Sequence, residues 1–189
     1  MGQIQNSLNQ MFTSLLHSGY VIQQSPYVKG QKAINVAKSQ HEVAKTNLTG
    51  DAQDRINRVS GNLDKIDVEN ITSLEDAQKV QQELADMGDT IRQVKRTTQN
   101  AIKAEMDAED KVMEAQLRYG TKKQREEAIP HLAQRQLEKD QAKSNPKSSA
   151  KLDQAGYSMY GSLQEAYNQK QGVLKATIDR LKAVKGGSV

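Results

Sequence analysis

Three histidines, His17, His41 and His131, are the side chains here best suited to move protons or hold a metal near neutral pH. They lie far apart in the chain. No Glu-x-x-His pair exists, which removes the carboxylate-bridged di-metal bundle, the enzyme most at home among long helices. Cysteine is absent, so disulfides and thiolate metal sites are out of reach. The glycines are scattered and match neither the P-loop nor the dinucleotide pattern. No serine sits in a nucleophile elbow with its flanking glycines. His41 falls on a heptad seam, where a packed, pH-sensitive core residue is the simpler reading than a ligand. These residues predict no enzyme, no cofactor and no small-molecule substrate.

Two constellations remain, and both are about association. Tyr157, Tyr160 and Tyr167 stand near Lys151, Lys170 and Lys175. Aromatics among basic residues can stack on single-stranded bases, a nucleic-acid contact. Tyrosines three and seven apart on a helix also read as an interface stripe. The other constellation is at the start of the chain. Ile4, Leu8, Met11, Phe12, Leu15 and Leu16 follow helical spacing, while Gln3, Gln5, Asn6, Asn9, Gln10 and Thr13 make the opposite face polar yet uncharged. Such a stripe either packs on the rest of the protein or contacts a partner or a membrane interface. A surface-lying membrane helix would carry Lys and Arg, and this one has none.

The elements that must position these residues are all helical. Gly19 and Ser25-Pro26 close the first segment, residues 1–25. Residues 26–72 read as shorter heptad helices. Tyr27, Ile34, His41 and Leu48 recur every seven residues, with Ala37 and Ala44 between them. Thr49-Gly50-Asp51 reads as a helix end, with Asp51 capping the next helix. In that next helix Ala52, Ile56, Val59, Leu63 and Ile66 alternate steps of four and three. Residues 73–143 read as a long central helix and its kinked continuation. Ser73 begins it, with Glu75 and Asp76 in the first turn. Val80, Ile91, Ile102 and Met113 are eleven apart, a period that keeps an apolar stripe straight. Leu84, Met87, Val94, Met106 and Leu117 widen that stripe into a helix-packing or oligomer interface. Gly120 stops or bends the helix, and Pro130 kinks one helix or opens another holding Leu132 and Leu137. Residues 144–149 form a linker. A last helix covers 150–189, with Leu152, Met159, Leu163, Leu174, Ile178 and Leu181 inward. No run alternates with period two for long enough to make a strand.

Composition agrees. Hydrophobic residues make up 35 %, Trp is missing, Phe12 is the one phenylalanine and twenty-two residues are Gln. A thick spherical core is thereby disfavoured, and helices that each bury a narrow stripe are favoured. The fold expected is all-α, an elongated bundle or coiled coil. Net charge is +4, divided as +3 over residues 1–50, −5 over 51–120 and +6 over 121–189. An acidic middle between basic ends suits antiparallel self-packing as well as nucleic acid.

The opening MGQIQNSLNQMFTSLL, followed by YVKGQKAINVAKSQHEVAKTN and long Gln/Ala/Lys helices, resembles the internal virion proteins of bacteriophages. The comparison is with the DNA pilot (minor spike) proteins of tailless single-stranded-DNA phages and the ejection proteins of short-tailed phages. The resemblance implies a virion structural protein, made in the host cytoplasm, whose helical oligomer escorts the genome through the envelope. Its partners would be further copies and other virion proteins, with a membrane at the N-terminal segment. Two other classes stand beside it: a helical adaptor that docks one protein partner, and a nucleic-acid-binding protein working through the basic C-terminal third.

Overall fold

The structure, a computed structural model, describes residues 26–144 and 150–186, and the apolar stripe expected at residues 4–16 lies outside them. The described residues are all-α, without a strand. Helix α1 (Pro26–Asn47) runs through a π-helical turn (Leu48–Ala52) into α2 (Gln53–Asp64). The break expected at Thr49-Gly50-Asp51 is therefore not a break. Backbone at Asn47 and Gln53 stays right-handed helical on both sides, and the hydroxyl of Thr49 donates to the carbonyl of Lys45 at 2.9 Å. One wide turn absorbs Gly50 and carries the axis onward. Asp51 caps nothing.

A short loop comes next, folded by Asp67. Its carboxylate accepts from the backbone N–H of Glu69 at 2.9 Å and of Asn70 at 3.1 Å, and from the Asn70 amide at 2.8 Å. Those bonds, the Asn70 side chain foremost, hold the Asp67 pKa below the ordinary aspartate value. The turn drives Ile66, Val68 and Ile71 inward, where all three are buried. Helix α3 (Leu74–Tyr119) then starts as expected at Ser73, whose hydroxyl accepts from the backbone N–H of Asp76 at 3.0 Å. Its 46 residues make a rod of roughly 70 Å.

Gly120 stops α3, and the chain reverses. Helix α4 (Lys122–Ser144) packs back along α3 instead of continuing it, so the kinked continuation expected over 73–143 is two antiparallel helices. Thr121 and Gln124 form a reciprocal capping box at its start. Gln124 Oε1 accepts from the Thr121 backbone N–H at 2.8 Å, and Thr121 Oγ1 accepts from that of Gln124 at 3.3 Å. Pro130 sits inside α4. Helix α5 (Ala150–Gly186) packs on the first half of α3 and on α2.

Each neighbour of α3 runs antiparallel to it. Gly30 meets Tyr119 and His41 meets Glu105, while Gln99 meets Tyr160 and Lys95 meets Gln164. The result is a rod three helices thick with α3 at its axis. At the end holding the α2–α3 loop, Ile56, Val59, Leu63, Leu84, Ile91, Val94, Tyr160, Leu163 and Leu174 join one apolar core. The other end is built differently. There α1 and α4 both lean on α3 and scarcely meet each other, and Ala128 is the only residue that α4 buries.

Candidate interaction surface

Along the α3 ridge, Leu84, Ile91, Val94 and Ile102 are buried, Val80, Met87, Met106 and Met113 are half-buried, and Leu117 is exposed. The residues that cover this ridge belong to the same chain. The eleven-residue period places Ile91 and Ile102 on one line, and the antiparallel neighbours α1, α2 and α5 lie over it.

The tyrosine–lysine group divides. Tyr160 is buried, with Lys95 Nζ 5.3 Å from its ring centre and the Gln99 amide 3.4 Å from its hydroxyl. Tyr167 lies over Gly88, where an added Cβ would overlap its hydroxyl. Lys170 donates to the backbone carbonyl of Ile66 at 2.5 Å, tying α5 to the end of α2. Tyr157 is exposed, and its hydroxyl donates to Glu165 at 2.5 Å, which raises the phenol pKa above its ordinary value. Lys175 is exposed, and the side chain of Lys151 lies outside the described residues. Two rings and one ammonium of the six are thus engaged in helix packing.

A charged cluster holds α4 to α3. Asp110 is 5 % exposed, and its carboxylate receives Arg135 Nε at 3.0 Å and Lys139 Nζ at 3.0 Å, with His131 Nε2 at 3.2 Å. His131, Arg135 and Lys139 are four apart, so one stripe of α4 presents all three. Arg135 also donates to Glu109 at 3.2 Å and to Glu138 at 3.4 Å. Burial pushes the Asp110 carboxyl up. The hydrogen bonds from Lys139 and His131, and the charges of Lys139 and Arg135, overrule it and leave the pKa below the ordinary aspartate value. Burial likewise pulls the Arg135 guanidinium down, and the Asp110 charge more than restores it. On the other flank of α3, His41 Nε2 lies 2.8 Å from Glu105. So the fold brings two of the histidines to carboxylates of α3, and neither joins a metal set. Among the described residues no group of three His, Cys, Asp or Glu is placed to hold a metal ion.

Opposite the α4 flank, α1 and α3 frame a shallow groove of about 430 Å³. Ala33, Val36 and Ala37 make its floor, and Lys29, Lys32 and Lys111 stand round it. Val36 is 48 % exposed and Val43, further along α1, 58 %. Sequence reading overlooked this groove because it tracked large apolar residues, and the floor is made of small ones. Exposed Tyr27, Leu117, Tyr119, Ile129 and Leu137 lie in the same half of the rod. Among the described residues no helix is long and apolar enough to cross a membrane. Set against known protein families, curated proteins and solved structures, the chain matches none.

Proposed function

We propose that this chain is a non-catalytic structural protein of a bacteriophage virion, of the pilot or ejection kind, whose assembling unit is the folded-back rod. The observation that carries the reading is the difference between the rod's two halves. One half closes on its own apolar core, while the other leaves Val36, Val43, Leu117, Ile129 and Leu137 uncovered. Exposed apolar side chains concentrated in one region suit a surface that meets other proteins. Exposed amides on α3, among them Gln78, Gln81, Gln82 and Gln93, suit a face turned toward nucleic acid in transit. Amides release no counterions from the phosphate backbone, so they do not hold DNA fast as many lysines would.

Sedimentation together with small-angle scattering tests this. Particles heavier than the 21.0 kDa chain, built from rods about 70 Å long, are expected at micromolar concentration. A monomer throughout that range overturns the virion reading. It would support the adaptor reading instead, which is favoured by one observation: the α3 ridge is already covered within the chain.

A further inference from the structure

We propose that the groove between α1 and α3 receives the outer face of α4 from a second copy of the chain, so that rods join side by side. The inference deepens the virion reading and rests on the self-association which that reading requires. Two surfaces of the molecule carry it, a groove of small side chains and a ridge of large ones.

Lys29, Ala33, Val36 and Gln40 follow steps of four, three and four along the groove face of α1. That stretch rises about 17 Å, and its middle is apolar. Small residues there let another helix approach closely, and large side chains on that helix seat as knobs in the holes between them. Lys29, Lys32 and Lys111 stand round the groove, and among the described residues none has a carboxylate within ion-pair distance. Lys111 stays unpaired although Asp107 and Glu114 lie a turn away on either side of it in α3. The groove thus offers a small apolar floor and uncompensated positive charge.

The outer face of α4 offers the complement. Ile129 and Leu137 are more than half exposed, and Ala133, midway between them, is exposed as well. Glu126 and Asp140 continue the line, each three residues beyond, and both are exposed. Glu126 lies 3.9 Å from Lys122 and Asp140 lies 3.5 Å from Lys143. Exposed pairs of this kind hold little energy, so both carboxylates can turn to other cations. Large apolar side chains between acids therefore face small ones between lysines.

Height along the rod matches too. On one flank of α3, Gly30 meets Tyr119 and His41 meets Glu105. On the other, His131 and Arg135 reach Asp110. Counted along α3, Ala33 stands about level with Ile129, and Ala37 about level with Ala133. A second rod laid parallel to the first, without axial shift, brings Ile129 to Ala33, Leu137 beside Gln40, and Glu126 to Lys29 and Lys32. Lys122 then falls one turn further on, past the end of the groove. Groove and ridge lie on opposite flanks of α3, so every joined pair still presents one of each. A head-to-tail contact of this type makes a ring when its rotation closes.

Mixing complementary variants of the full chain tests the pairing by sedimentation. Val36→Asp puts a charge in the groove, and the double change Ile129→Asp/Leu137→Asp spoils the ridge. All three positions are exposed, so the rod keeps its fold, which helicity by circular dichroism checks. Each variant alone is expected to be a monomer of 21.0 kDa at concentrations where the native chain is heavier. An equimolar mixture should reach twice that mass and stop, because each pair contains one intact groove and one intact ridge. Such a rescue also excludes misfolding as the reason for either monomer. Variants that assemble like the native chain overturn the proposal, and so does a mixture that stays monomeric or grows past two. Those results leave the virion reading standing on a different surface, whereas a native chain that is itself monomeric overturns both.

Discussion

Asp110 shows how much one residue can carry where apolar packing is thin. It is a carboxylate with almost no access to water, and three side chains of one α4 stripe, His131, Arg135 and Lys139, converge on it. Asp110→Asn keeps the shape and removes the charge, leaving Arg135 and its neighbours without their main counter-ion. Loss of one partner from a buried ion network costs about 3 kcal/mol or somewhat more, and thermal unfolding should register it as a lower midpoint. The same residue sets an acid limit. Its pKa is depressed on folding, so its contribution is fully present above the ordinary value of 3.8 and is lost as pH falls through the lower native value. Stability followed from pH 6 downward should fall in that window in the native chain and fall less in Asp110→Asn. Equal acid sensitivity would mean that Asp110 is not the group responsible.

At the scale of helices, close approach and its absence make opposite predictions for two glycines. Gly88 on α3 gives up its side-chain space to the Tyr167 ring of α5. An alanine there must displace a ring wedged between two helices, and overpacking of this kind costs about 1–3 kcal/mol. Gly61 on α2 has open space where a Cβ would go. Gly61→Ala should stabilise by about 1 kcal/mol, because it removes the glycine penalty in a helix interior. Denaturant midpoints that moved in one direction for both would refute this account of the α3–α5 contact. The helices also differ as units. α5 is held by Tyr160, Leu163 and Leu174 in the main core, whereas α4 rests on Ala128 and ion pairs, with Pro130 inside it. A proline in a helix interior costs about 3 kcal/mol. Hydrogen exchange should therefore release the amides of α4 well before those of α5, by about a factor of ten or more. High salt should widen the gap, because it screens the partly exposed ion pairs of α4 and leaves the apolar contacts of α5 in place. Uniform exchange along both helices would contradict it.

For the whole molecule, an antiparallel rod with one dry half and one charged half divides labour between stability and contact. Apolar burial near the α2–α3 loop holds the helices together through Leu63, Leu84, Ile91 and Leu163. The other half is free to expose apolar and basic side chains because folding does not depend on hiding them. Much of this was legible in the residues themselves. Steps of four, three and eleven mark faces that helices must bury, so the all-α class, the start of α3 at Ser73 and the stop at Gly120 could be read along the chain. Thr121 and Gln124 carried a capping signal that reading passed over. What spacing could not say is which surface would cover each stripe. Local periodicity is a property of a few consecutive turns, whereas the partner of a stripe is chosen by energies summed over the folded chain. Only the tertiary structure decided that Ile91 and Ile102 are covered by the chain's own helices, that a π-turn carries α1 into α2 past Gly50, and that Asp110 and Arg135, twenty-five positions apart, meet in a largely covered contact.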